Sequence, residues 1–258
     1  MMPLSILVNS RANGKRPLLF SLHSAFWIGT CDFFAMPLIL KTAQEAPQNQ
    51  ETIGQAAEIV LAGGIVAFPT ETFYGVAALA SHPGAVEHIY RLKRRPPGKP
   101  VSILVSDLAQ LRQWVHMVPT GVPQLMERFW PGPLTLVFTA AKHLPASLHA
   151  GTGKVGVRIS SHPVAQALVR AVGTPITATS ANRADAPSCR SAAEVLGQLG
   201  PELDAILDGG LTLGSKASTI VDVTARPPEI LRFGAIAARE ILRCWQQTAQ
   251  SSCNGGCQ

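Results

Sequence analysis

From about residue 50 onwards, apolar positions fall into short segments of two kinds. Ile65–Phe68 is an unbroken apolar run stopped by Pro69, as expected of a strand buried on both faces. Gly75–Ala80, Val101–Val105, Leu134–Phe138, Val155–Ile159, Ile176–Ala178, Ala205–Leu207, Thr219–Val223 and Ile230–Arg232 read as further strands. Between them the period changes. Val86, Ile89 and Leu92 mark the inner face of a helix from Pro83 to Arg94, and Val164, Leu168 and Val172 do the same for His162–Val172. Gly121–Phe129 and Ala237–Gln247 also read as helical.

Capping chemistry sharpens the boundaries. Thr52-Ile-Gly-Gln55 and Ser191-Ala-Ala-Glu194 are capping-box patterns, Asp107 is a candidate cap for a helix reaching Trp114, and Gly63-Gly64 closes the helix that Thr52 would open. Strands and helices alternate irregularly, which predicts an α/β fold with a twisted mixed sheet flanked by helices. No internal repeat interrupts the pattern. The expected organisation is an extension over residues 1–45, one domain over 46–247 and a flexible tail over 248–258.

Composition adds exclusions. The 258 residues are 47% hydrophobic and only 15% charged, which rules out extended disorder. The net charge of +6 favours anionic partners without naming one. No apolar run approaches the ~20 residues that span a bilayer. The cysteines, Cys31, Cys189, Cys244, Cys253 and Cys257, are odd in number and irregularly spaced, unlike a secreted disulfide framework. Cys253 and Cys257 lack two further nearby ligands for a metal.

The N-terminus is set apart. Residues 1–31 hold Arg11, Lys15 and Arg16 but no acid, and a mostly apolar stretch runs from Leu18 to Ala35. Three readings are open: a loosely docked extension, a targeting peptide, or sequence upstream of a start at Met36. The cytoplasm is the default compartment, with organellar targeting open.

Two familiar patterns fail on context. Gly151-Thr-Gly153-Lys-Val-Gly156 fits the dinucleotide fingerprint, but a strand follows it where a helix is required. Gly209–Lys216 resembles a phosphate-binding loop with Ser215 and Lys216 in the wrong order. The histidines form no metal-type pair, and His143 and His162 read as surface or helix-start residues.

Three segments carry chemistry. Arg91–Lys99 holds five cations (Arg91, Lys93, Arg94, Arg95, Lys99) and no acid. Taken alone, the run reads as a solvated helix end. Pro96-Pro97-Gly98 and Lys99-Pro100, however, pin it between helix and strand, where it suits a polyphosphate. Thr177-Ala-Thr-Ser-Ala-Asn182 and Pro69-Thr-Glu-Thr-Phe-Tyr-Gly75 each place small polar groups after a strand, where ligands of α/β folds bind. Each alone is equally a polar turn. Thr70, Thr72 and Tyr74 are expected to offer three hydroxyls at one strand end.

Read together, FPTETFYG, LKRRP with its Lys-Pro, WPGPLT, VGVR, TSAN and the stretch from DGG to STIVDV resemble the YrdC-like threonylcarbamoyl-AMP synthase family over about residues 50–236. The resemblance implies a basic concave cavity and synthesis of threonylcarbamoyl-AMP and pyrophosphate from L-threonine, bicarbonate and ATP. It implies Mg²⁺ arriving with ATP, and a product consumed by a tRNA threonylcarbamoyl transferase complex. tRNA itself is a further candidate partner, and no membrane is implied. Lys93, Arg95, Ser180 and Asn182 fall on the family's K-x-R and S-x-N positions, expected to be catalytic. Arg95, Lys99, Lys154, Ser180, Ser188 and Arg232 would contact ATP. Thr72, Arg158 and Ser218 would hold threonine, with Leu104 and Ala178 approaching through backbone. Some relatives carry an additional C-terminal domain, and the residues after Arg232 are too few to make one.

Two other functions stay open. One is a carbamoyl-transfer module like the YrdC-related domain of hydrogenase-maturation proteins, which normally sits beside zinc-finger and acylphosphatase parts. The other is a non-enzymatic protein whose basic concavity binds double-stranded RNA or tRNA, with steep salt dependence and no need for Asn182 or Thr72.

Overall fold

The computed structural model describes residues 36–42, 49–96 and 98–254, with side chains through residue 247. The targeting and mis-start readings of residues 1–35 lie outside the described residues. In chain order the elements are β1 (Leu38–Lys41), α1 (Asn49–Leu61), β2 (Val66–Phe68), β3 (Gly75–Ala77), α2 (Pro83–Lys93), β4 (Ile103–Leu104), α3 (Leu108–Trp114) and α4 (Val122–Phe129). They continue with β5 (Leu134–Thr139), α5 (Ala146–His149), β6 (Lys154–Arg158), α6 (Pro163–Val172), β7 (Ile176–Thr177), β8 (Thr179–Ser180), α7 (Ala192–Leu199), β9 (Ala205–Asp208), β10 (Thr219–Asp222), β11 (Glu229–Arg232) and α8 (Ala238–Asn254).

The strands form two mixed sheets where the sequence suggested one. The first has the order β1-β9-β2-β3-β8 and the second β11-β10-β5-β6-β4-β7. Their separation follows from the Thr177–Asn182 segment. β7 pairs antiparallel with β4 in the second sheet, and β8 pairs antiparallel with β3 in the first. Only Ala178 lies between them, and its N–H donates to Ser102 O at 2.8 Å. The wholly buried Thr177 hydroxyl stitches the crossing, donating to Val76 O and accepting from Ala78 N, both at 2.9 Å. A hydroxyl that deep costs stability unless paired, so this threonine supplies what the interrupted ladders lack.

Strand alternation explains why the apolar runs are unbroken. Val66 and Phe68 join a core beneath α1 and α6, whereas Ile65 and Ala67 face a second, larger core shared with β5, β6, α2 and α4. Ala205 and Leu207 against Ile206 repeat the pattern on β9. Side chains two apart share a face, so a strand with a core on each side must be apolar throughout. Each fully buried Val, Leu, Ile or Phe there contributes roughly 1.5–3 kcal/mol.

Several boundaries moved. β1 lies inside the expected extension and pairs parallel with β9, from Leu38 opposite Ala205 to Lys41 opposite Asp208. Only Leu40 of its four residues is buried, as suits an edge strand, and so its sequence shows no periodic signal. α1 begins at Asn49, so Thr52 lies within the first turn and is not the cap. Ser191 and Asp107 do cap, accepting from the amides of Glu194 and Gln110. The Val101–Val105 run narrows to β4, and α8 continues as helix through residues 248–254, where a flexible tail was expected.

Candidate functional site

The two sheets bring strand ends and loops from distant parts of the chain to one cleft. Its walls include Thr72, Arg95, Ser102, Leu104, Thr135, Arg158, Ala178, Ser180, Ser188, Ser218 and Arg232, and none of the described lining residues is acidic. Leu104 and Arg158 are register partners at the ends of the parallel pair β4–β6, so both enter at the same level. The cleft lies where the chain passes from one sheet to the other, the kind of position at which α/β folds bind ligands.

Arg158 is 8% exposed and fully engaged at its base. Its Nε donates to Gly132 O at 3.1 Å, and its Nη2 lies 2.6 Å from Glu71 Oε1. The other Glu71 oxygen accepts from the Ser160 hydroxyl. Burial pushes the Glu71 carboxyl up, but the Arg158 charge and the bonds from Arg158 and Ser160 outweigh it, and the group is held below its ordinary value. Nη1 and Nη2 both reach the Thr72 hydroxyl at only 3.4 Å, too long for strong bonds. That edge of the guanidinium is therefore a fork open to a carboxylate. The Thr72 hydroxyl is itself held 2.9 Å from that of Thr70.

Opposite, the Ser218 hydroxyl lies 2.9 Å from that of Thr135 and accepts from Arg232 Nη2 at 2.9 Å. Arg232 also grips Ser218 O through Nε at 3.0 Å and Nη2 at 2.8 Å. Arg95 is steadied in the same way, with Nε on Lys99 O at 2.9 Å and Nη2 on Pro100 O at 2.8 Å. Burial, then the charges of Arg158 and Arg95, lower the Arg232 pKa, so three guanidinium groups share one field. Such a cluster is stable only with anions nearby or with its charges held by carbonyl dipoles; Glu71 supplies the first for Arg158, and loop carbonyls supply the second for Arg95 and Arg232.

Other expected residues sit elsewhere. Lys93 is 4% exposed and does not line the cleft. Its Nζ donates to Ser180 O, to Asn182 O at 2.6 Å and to Asn182 Oδ1 at 3.4 Å. Asn182 spends its amide on Arg183 O at 2.8 Å and Ala186 O at 2.6 Å. These two residues lie behind the turn that presents Ser180. Lys99 is exposed, and its carbonyl is what holds Arg95. Lys154 is taken up by Asp222 at 2.8 Å. Tyr74 turns its hydroxyl away to the Gly209–Gly210 loop, donating to Gly210 O at 2.7 Å, so the expected trio of hydroxyls reduces to Thr70 and Thr72. His162 caps α6, and the His143 ring meets Trp114 edge-on.

Glu71, Ser160, Thr135 and Gly214 escaped the sequence reading. Glu71 stands inside FPTETFYG, and its position between two threonines at a strand end was the available signal. Thr135 ends the WPGPLT motif and Gly214 lies in the stretch from DGG to STIVDV, whereas Ser160 carried no signal. A Cβ on Gly214 would fall 2.3 Å from Thr72 O and 2.5 Å from its Cα, so the rejected Gly209–Lys216 loop packs directly on the threonine turn. Gly214→Ala is expected to displace Thr72 and lower kcat/KM for L-threonine by up to about 10²-fold. Steady-state kinetics beside a melting curve would check it, and unchanged kinetics would show that the loop yields instead.

Comparisons with known proteins point one way. The family model described as "Telomere recombination", which unites Sua5, YciO and YrdC proteins, matches residues 58–234. The chain is 42% identical over 173 residues to a threonylcarbamoyl-AMP synthase of Alkalilimnicola ehrlichii, covering 66% of this chain and 90% of that protein. It is 38% identical over 186 residues to the threonylcarbamoyl-AMP synthase of Pyrococcus abyssi, covering 72% of this chain but only 55% of that longer relative. The crystal structure of P. abyssi Sua5 complexed with L-threonine superposes with a TM-score of 0.77 at 36% identity, over 80% of this chain and 60% of that one. With two mixed sheets meeting at the cleft and a family match over most of its length, the chain belongs to the Sua5/YciO/YrdC family.

Proposed function

We propose that this protein makes threonylcarbamoyl-AMP and pyrophosphate from L-threonine, bicarbonate and ATP. The observation that carries this reading is one cleft that holds both kinds of group: a guanidinium fork beside the Thr72 hydroxyl with the Ser218 hydroxyl opposite, and Arg95 and Arg232 on carbonyl supports. The names of the relatives and the L-threonine bound to the P. abyssi protein support it.

The chemistry fits these residues. The threonine amine and bicarbonate condense to a carbamate with loss of water. A carbamate oxygen then attacks the α-phosphate, and pyrophosphate leaves. Arg158 takes the threonine carboxylate, while Thr72 and Ser218 read its hydroxyl. A site built to bond a hydroxyl rejects analogues lacking it by about 10⁴–10⁵. Arg95 and Arg232, with Ser180 and Ser188, face the nucleotide and offset the repulsion between two anions. Among the described residues no group of three or more His, Cys, Asp or Glu side chains could hold a metal ion. Mg²⁺ would therefore enter on the triphosphate, held by phosphate and water. The product would pass to a tRNA threonylcarbamoyl transferase complex, in the cytoplasm. No described helix is long and apolar enough to cross a membrane.

The test is pyrophosphate release from ATP by the purified protein, with L-serine as control and the product weighed. Release that needs both L-threonine and bicarbonate, with the mass of threonylcarbamoyl-AMP, is expected. A folded protein that releases none overturns the assignment.

A further inference from the structure

We propose that Glu71 is the positioning residue of the amino-acid end of the cleft, holding the Arg158 guanidinium so that its Nη1–Nη2 edge faces Thr72 and receives a carboxylate. This rests on the functional reading above and adds to it a residue that touches no substrate.

Glu71 is not among the residues lining the cleft, and its side chain is only 17% exposed. It reaches Arg158 from behind, with Oε1 at 2.6 Å from Nη2. Its other oxygen is fixed by Ser160, which is fully buried. The Ser160 hydroxyl in turn accepts from His162 N at 3.2 Å, at the start of α6. A rigid path thus runs from a helix end through Ser160 and Glu71 to the guanidinium. Thr72, the next residue after Glu71, carries the hydroxyl that the fork faces. One turn therefore sets both the clamp and the group beside it.

The other cleft arginines are held differently. Arg95 and Arg232 rest on backbone carbonyls, which orient them and leave their charge unspent. Among the described residues, Arg158 is the cleft arginine that forms an ion pair. A carboxylate partner cancels most of its net charge at a distance but leaves its free N–H groups aimed. That combination suits a monoanion recognised at close range more than a polyphosphate, which is drawn by net field. The arrangement gives Arg158 a different preference from Arg95 and Arg232, although all three line one cleft.

The test measures binding of L-threonine and of L-threoninol, which lacks the carboxylate, by calorimetry. The proteins are the full chain, Glu71→Gln and Ser160→Ala. Glu71→Gln is expected to weaken L-threonine by about 10–100-fold, the scale seen when the orienting partner of a ligand-binding side chain is lost at metal sites. Ser160→Ala should weaken it less, in the same direction. L-Threoninol affinity should be unchanged in both. Should Glu71→Gln fail to fold, Ser160→Ala carries the comparison. Equal weakening of both ligands, or no effect on L-threonine in either variant, overturns the proposal. An unsubstituted chain that binds neither ligand overturns the functional reading and this inference with it.

Discussion

Arg158→Lys is expected to raise the KM for L-threonine by about 10–150-fold while leaving the KM for ATP close to its original value. Lysine keeps the positive charge beside Glu71, so the buried carboxylate retains a partner. It loses the fork, the bond to Gly132 O and the two donors that face Thr72. A hydrogen bond to a charged group contributes about 1.5–3 kcal/mol, which sets the scale of the loss. Arg158→Ala should behave differently. It would strand Glu71 at the protein interior, and breaking a buried ion pair costs roughly 3–5 kcal/mol. That variant is expected to melt well below the parent before any kinetic question arises. Steady-state kinetics on Arg158→Lys, with thermal unfolding of both variants, separates the two effects. An unaltered KM for L-threonine in Arg158→Lys would remove the clamp assignment.

Lys93→Met should cut turnover by at least about 10²-fold, the cost of one lost transition-state donor, through the Ser180–Asn182 turn. Methionine keeps the aliphatic volume and deletes an ammonium that serves Ser180 O, Asn182 O and Asn182 Oδ1. The turn that presents Ser180 to the cleft then loses a donor at each of these acceptors, although Ser180 O keeps the Asn182 N–H at 3.0 Å. Burial, and then the Arg95 charge, push the Lys93 pKa down to about 8, against about 10.4 for a free lysine. The native state thus sheds this proton at lower pH than the unfolded chain does. Between about pH 8 and 10.4 the unfolded chain holds more protons, so the Lys93 contribution to stability rises with pH there, and it is lost as pH falls through 8. Turnover should move the other way. A neutral amine has two N–H donors for three acceptors, and activity should decline as pH rises through about 8. Parallel profiles of kcat and melting temperature would check this divergence. A kcat that stays flat to pH 9 in a folded sample would sink it.

The alternation of apolar runs and helical periods made the α/β class legible, because a strand between two cores and a helix over one leave different spacings. Caps at Asp107 and Ser191 were legible for a local reason: the side chain bonds an amide three residues on. β1 was not, since an edge strand with one buried residue leaves no pattern. At the site, motif identity pointed to Thr72, Arg95, Arg158, Ser180, Ser188, Ser218 and Arg232, and the cleft gathers all seven.

Motif identity did not reveal which way a side chain turns. Lys93 and Arg95 stand two apart in one basic run, yet one is buried under a turn and the other faces the cleft, because the left-handed Arg94 ends α2 between them. Lys154, expected to contact ATP, pairs with Asp222 from a strand far along the chain. Glu71 looked like one polar residue among others until β6 brought Arg158 against it. Sequence alone determined the residue types available for binding anions and hydroxyls, and the order of the elements that carry them, since both follow from local composition and period. Tertiary structure alone decided which charges are spent on neighbours and which remain for a ligand. That division depends on partners as far apart as Lys93 and Asn182, 89 residues along the chain, and on distances of a few ångströms that no local spacing encodes.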